Sequence, residues 1–140
     1  MEIVRSATVP VAAERAFHLI EHAEDYPAFL PWCTQATIIE RRDDYVRARV
    51  GFGYSGLSAA MISDVDKQWP RAMQVRIDNW PFRKFRGHWE IDPLSADACR
   101  VVFTANTGFQ DAWWSRLIGL AAGFIADRLV GAFVARARTL

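Results

Sequence analysis

The stretch GFGYSG, residues 51–56, has the spacing G-x-G-x-x-G. That spacing makes a phosphate-cradling turn where a strand runs into a helix. Asp78 follows about 22 residues later, near where a dinucleotide-binding fold keeps its ribose-binding acid. Between them, LSAAMISDVDKQW carries Leu57, Met61 and Val65 at helical spacing. The segment before the motif decides against a nucleotide site. A dinucleotide-binding first strand is parallel and buried on both faces, so it is continuously apolar. YVRARVGF instead alternates, with Val46, Ala48, Val50 and Phe52 opposite Tyr45, Arg47 and Arg49. Glycines flanking Tyr54 and Ser55 suit a hairpin or bulge, so a turn between two strands is expected here, binding no nucleotide.

Other chemistry-bearing residues are sparse. His18 and His22 stand at i, i+4, with Glu14 and Glu21 nearby, a spacing that can hold a metal. No third ligand is evident and no H-E-x-x-H is formed, so a solvated helix face and no metal are expected. Neither a Ser-His-Asp or Cys-His set nor paired carboxylates can be assembled, and no catalytic residue is assigned. Cys33 lies among apolar neighbours, which raise a thiol's pKa and leave it inert. Arg83, Lys84 and Arg86 fit the solvent face of a strand or a contact with lipid phosphates or ribosomal RNA.

Two stretches suit an apolar ligand instead. Ser115, Gly119, Ala122, Gly123 and Ala126 form a line of small residues at helical spacing, flanked by Trp113, Leu117, Phe124 and Ile125. Glycine inside a helix costs about 0.5–1 kcal/mol against alanine, so something must approach closely there, either a ligand or the sheet. FLPWC places Phe29, Leu30 and Trp32 beside Pro31, four residues after Pro27, as a plug in the core or a lid over a cavity mouth.

The totals agree. One domain, residues 1–140, is expected from the length. A net charge of +1 excludes a global field toward DNA or an anionic membrane. Nine Phe, six Trp and three Tyr exceed a minimal core and suit an apolar cavity. Cys33 and Cys99 form no C-x-x-C pair, and MEIVRSATVP lacks a signal-peptide apolar region. A cytoplasmic protein with reduced thiols is expected. The longest apolar run, Leu117 to Ala126, is too short to span a bilayer, which leaves peripheral contact with the inner membrane open.

The elements that must position these residues follow from periodicity. EIVRSATV alternates as a short strand, and VAAERAFHLIEHA suits a helix with Val11, Phe17 and Ile20 on or near its apolar side. DYPAFLPWC gives a short helical turn between proline breaks. QATIIERR, YVRARVGF, MQVRID, FRGHWEID and CRVVFTANTGF alternate, with turn-like segments between. From about Asp111 to Thr139 the chain has no proline and reads as one long helix. The order predicts an α+β chain: one curved antiparallel sheet with a long helix across it.

Three stretches then carry a resemblance over nearly the whole chain: YPAFLPWC, PFRKFRGHWEIDPL and AFVARAR. Together with ATVPVAAERAFHLI and ACRVVF they resemble the coenzyme Q-binding proteins of the START-like, helix-grip superfamily. That superfamily includes polyketide cyclase/dehydrase-like proteins and the bacterial ribosome-association toxin. The resemblance implies a curved sheet wrapped around the C-terminal helix, two short helices after the first strand, and an apolar tunnel. It implies binding of ubiquinone or a similar lipid in support of respiration, as carrier or chaperone rather than enzyme. No cofactor is required; the quinone is the bound ligand. A ribosome-associating role and a cyclase-type activity remain alternatives. The implied ligand-binding set is Phe29, Leu30, Trp32, Trp80, Phe82, Phe85, Trp89, Phe109, Trp113, Leu117, Gly119, Gly123 and Phe124. Trp80 replaces the family's usual glycine before P-F, a bulk that narrows or gates a pocket mouth.

Overall fold

In the strand Tyr45–Tyr54 (β3), Val46, Ala48 and Val50 are buried while Arg47 and Arg49 are exposed. That is the period-2 pattern of a sheet with one wet face. The same alternation builds β1 (Glu2–Val9), β2 (Cys33–Arg42), β4 (Leu57–Gln68), β5 (Ala72–Ile77), β6 (Phe82–Ser95) and β7 (Ala98–Phe109). The computed structural model describes residues 2–54, 56–79, 82–109 and 112–139, without the side chains at 54, 57, 109, 112–115 and 117–123. The seven strands form one antiparallel sheet in the order β1-β7-β6-β5-β4-β3-β2.

Helix α1 (Ala13–Glu21) and a 3-10 helix (Ala23–Ala28) fill the crossover from β1 to β2, and α2 (Ala112–Ala137) closes the chain. Ala13, Ala16, Phe17 and Ile20 of α1 are buried against Trp89, Ile91 and Phe103 of the sheet and Phe133 of α2. Each such large apolar side chain contributes roughly 1.5–3 kcal/mol when fully buried. The curved sheet and long C-terminal helix are the expected α+β helix-grip arrangement.

GFGYSG is the β3–β4 hairpin, as expected: its first four residues end β3, and Leu57 starts β4. Gly51 faces the irregularity in β2 between Cys33 and Gln35, where a Cβ would lie 2.8 Å from side-chain atoms of both Thr34 and Gln35. Gly56 has φ +82°, and no atom lies near its would-be Cβ. Gly56→Ala therefore carries a purely conformational cost of about 1 kcal/mol. A melting curve will show a small drop in Tm, and an unchanged Tm would contradict this account. The helical spacing in LSAAMISDVDKQW does not form a helix. Those residues are β4, held by ladders to β3 and β5, because tertiary pairing on both sides outweighs a three-residue periodicity.

Candidate functional site

The inner face of the grip is predominantly apolar. On β3 to β7 its buried residues include Val50, Met61, Met73, Ile77, Trp89, Phe103 and Ala105, with polar groups at buried Ser63, at the buried Thr107 hydroxyl and at Lys67, whose side chain is 7 % exposed. On α2, Ala126, Phe133 and Ala137 are buried, seven and eleven residues apart, which keeps them on one side of a helix.

Five rings cross this interior. Phe133 packs edge-on against Tyr26 at 5.4 Å between centroids, Phe29 at 5.3 Å and Trp89 at 5.3 Å. Trp89 meets Phe103 at 4.5 Å. Such edge-to-face pairs contribute about 0.5–1.5 kcal/mol each beyond their burial. The Tyr26 hydroxyl donates to the Ile20 carbonyl at the end of α1, and burial holds its phenol well above the usual tyrosine range. The Arg136 guanidinium lies 5.6 Å over the Phe29 ring. A small apolar cavity of about 20 Å³ sits on the α1 side of these rings, with Trp89 and Phe133 in its lining.

The expected ligand set is therefore only partly assembled. Phe29 and Trp89 belong to the ring cluster. Leu30 is buried with Cys33, Ala48 and Val50, and Trp32 packs on that group. This is the packing of a core plug, the alternative to a lid. Phe82 and Phe85 lie 5.2 Å apart near the other end of β6. Phe124 lies apart from the ring cluster: it is 56 % exposed, with the Arg128 guanidinium 4.7 Å over its ring. It stands two residues before Ala126, about 200° around the helix from the buried side. Trp80 and the side chains of Phe109, Trp113, Leu117, Gly119 and Gly123 lie outside the described residues. Tyr26, Phe103 and Phe133 were not singled out from sequence, although Phe133 could have been found by its seven-residue spacing from Ala126.

His18 and Glu14 are exposed and His22 is half-exposed, as expected of a solvated face; the third donor that the spacing did not reveal is buried Glu21, with the three groups' ligand atoms within 4.8 Å of one another. The Glu21 Oε1 accepts from Arg41 Nε at 3.0 Å and from Lys67 Nζ at 3.0 Å. Two cations thus already share Oε1, while Oε2 lies 3.0 Å from His22 Nδ1.

Cys33 is 4 % exposed, and burial pushes its thiol up, as expected of a structural cysteine. On the outer sheet face, Arg86 pairs with Asp78 at 2.7 Å and Arg76 with Asp66 at 3.0 Å, while Arg83 and Lys84 are exposed. Gln74, His88, Thr104 and Asn106 join the two paired arginines around a shallow polar depression of about 330 Å³.

Comparison with known proteins adds to this geometry. The polyketide cyclase / dehydrase and lipid transport family matches residues 9–138. The ribosome association toxin RatA of Escherichia coli (strain K12) is 32 % identical, over 98 % of this chain and 87 % of that protein. The mitochondrial coenzyme Q-binding protein of Schizosaccharomyces pombe is 24 % identical, over 95 % of this chain and 84 % of that protein. The crystal structure of Zhui aromatase/cyclase from Streptomyces sp. R1128 superposes with a TM-score of 0.87 at 15 % identity, over 99 % of this chain and 93 % of that one.

Proposed function

Because the chain belongs to the polyketide cyclase / dehydrase and lipid transport family, we propose that it binds an apolar small molecule, ubiquinone or a similar lipid, between the sheet and α2 and acts as its carrier. The observation that carries this is the inner face itself, whose buried residues on β3 to β7 are predominantly apolar among the described residues. Such a lining suits an isoprenoid tail, with few polar groups needed to orient a headgroup. Likeness to a coenzyme Q-binding protein over most of the chain supports the quinone in particular. Cyclase chemistry needs acid and base groups in the interior. Among the described residues, buried Glu21 is bound to Arg41 and to Lys67 at the end of α1, and this neutralised ion-pair network favours a binder over an enzyme.

Organic extraction of the purified protein followed by mass spectrometry will identify the ligand. Gly123→Leu then tests the place. Gly123 stands three residues before buried Ala126, on the same helical side. Bulk added to open ligand space abolishes quinone binding with little change in Tm. Bulk forced into a packed seam costs about 1–3 kcal/mol. A destabilised variant whose folded fraction binds quinone normally would end the proposal for α2.

A second role, attachment to the ribosome, is favoured by the identity to RatA and by exposed Arg83 and Lys84. Salt-sensitive co-sedimentation with ribosomal subunits distinguishes it from a carrier role. Among the described residues, no helix is long and apolar enough to cross a membrane.

A further inference from the structure

We infer that the ring cluster centred on Phe133 closes the inner end of the ligand space and sets the longest tail the protein accepts; this rests on the apolar-ligand proposal above. The five rings run without a break from the 3-10 helix through α2 to β6 and β7, by way of Tyr26, Phe29, Phe133, Trp89 and Phe103. Phe133 is the hub, touching three of the other four. It is 6 % exposed, and seven residues earlier on the same side stands Ala126, also buried. The buried side of α2 thus changes from a methyl group to a phenyl ring over two turns.

What lies behind the rings excludes a ligand there. Ala16, Leu19 and Ile20 of α1 close that side, and the space left between α1, β1 and α2 is about 20 Å³, lined also by Val9, Val101, Val130 and Val134. That is little more than the room a single water needs, and its apolar lining gives a water nothing to bond. A tail must therefore lie on the Ala126 side of Phe133. The cavity has a second consequence. Phe133 and Trp89 both line it, so removing the Phe133 ring joins it to whatever space lies in front.

The experiment is a binding titration with ubiquinones that differ only in the number of isoprene units, read by native mass spectrometry. For the wild type, affinity will rise with tail length and then break at a limit. Phe133→Ala moves that limit to a longer tail. The first tail the wild type rejects gains about tenfold in affinity, because one more unit becomes buried. Shorter tails bind as before. Phe133→Leu keeps more of the core and shifts the limit in the same direction by less, and it carries the test if Phe133→Ala does not fold. Variants that bind quinones with the wild-type limit would overturn the inference, as would a wild type that binds every tail length without a break. A wild type that binds no quinone of any length removes the underlying proposal, and the inference with it.

Discussion

Glu21→Gln will lower the stability of the protein by about 3–5 kcal/mol, the range for removing one partner of a buried ion pair. The Glu21 and Lys67 side chains are each 7 % exposed, and their contact is 3.0 Å. Glu21 also accepts from Arg41 Nε at 3.0 Å. The amide that replaces the carboxylate keeps the shape but not the charge, so the Lys67 ammonium is left buried and uncompensated. Arg41 suffers less, because it is one-third exposed and holds Glu24 through two further bonds of 2.6 and 2.8 Å. Those bonds hold the Glu24 carboxyl below its ordinary range. An acid with a depressed folded pKa stabilises above its unfolded pKa, and that contribution is lost only as pH falls through the lowered value. Denaturant unfolding at neutral pH measures the Glu21 effect. The pair Glu21→Leu with Lys67→Met should regain most of the loss, since an apolar pair of similar volume is often neutral or better. A loss under about 1 kcal/mol in the single variant, typical of solvated pairs, would mean that the network is wet and does not tie α1 to β2 and β4.

The same network shows where sequence patterns stop being informative. Glu21 follows His18 and precedes His22 on a short helix, so locally it belongs to a polar face. Its partners come from β2 and β4, 20 and 46 positions away in the chain, and no periodicity in α1 reveals them. The strands were legible for the opposite reason. Alternation is local, and Val46, Ala48 and Val50 against Arg47 and Arg49 need only one wet face to be understood. β4 was harder because buried Ser63 interrupts its inner face, while Leu57, Met61 and Val65 happen to fall at helical spacing. The long helix was legible, but the side on which each residue sits was not. Apolar residues are spread around α2, with only Arg116, Asp127, Arg128 and Arg136 charged, so Phe124 could not be told from Phe133 by hydrophobicity. The ring cluster joins the 3-10 helix, α2, β6 and β7, and such a cluster appears only once the sheet has curved around the helix.

Leu30→Ala will cost about 2–5 kcal/mol, the range for removing a buried leucine side chain. Leu30 is 2 % exposed and packs with Cys33, Ala48 and Val50, with Phe29, Trp32, Leu129 and Ala132 around them. The backbone there is fixed as well. The Leu30 amide donates to the Tyr26 carbonyl at 2.8 Å, and the Leu30 carbonyl accepts from the Cys33 amide at 3.0 Å. With both ends tied, the segment cannot settle into the vacated space, which places the cost toward the upper part of the range. Thermal melts measure it. The same variant separates a plug from a lid. If residues 29–32 open to admit a ligand, the alanine change alters the rates of quinone uptake and release while Tm moves little, because an opening segment holds little of the core's stability. If they are a plug, Tm falls sharply and the folded fraction takes up quinone at the wild-type rate. Phe29→Ala is the internal comparison: its ring is only partly buried and touches Tyr26, Phe133 and Arg136, so its loss should perturb the ring cluster more than the Cys33 group. A Leu30→Ala protein that melts like the wild type but exchanges quinone faster would make the FLPW segment a gate after all.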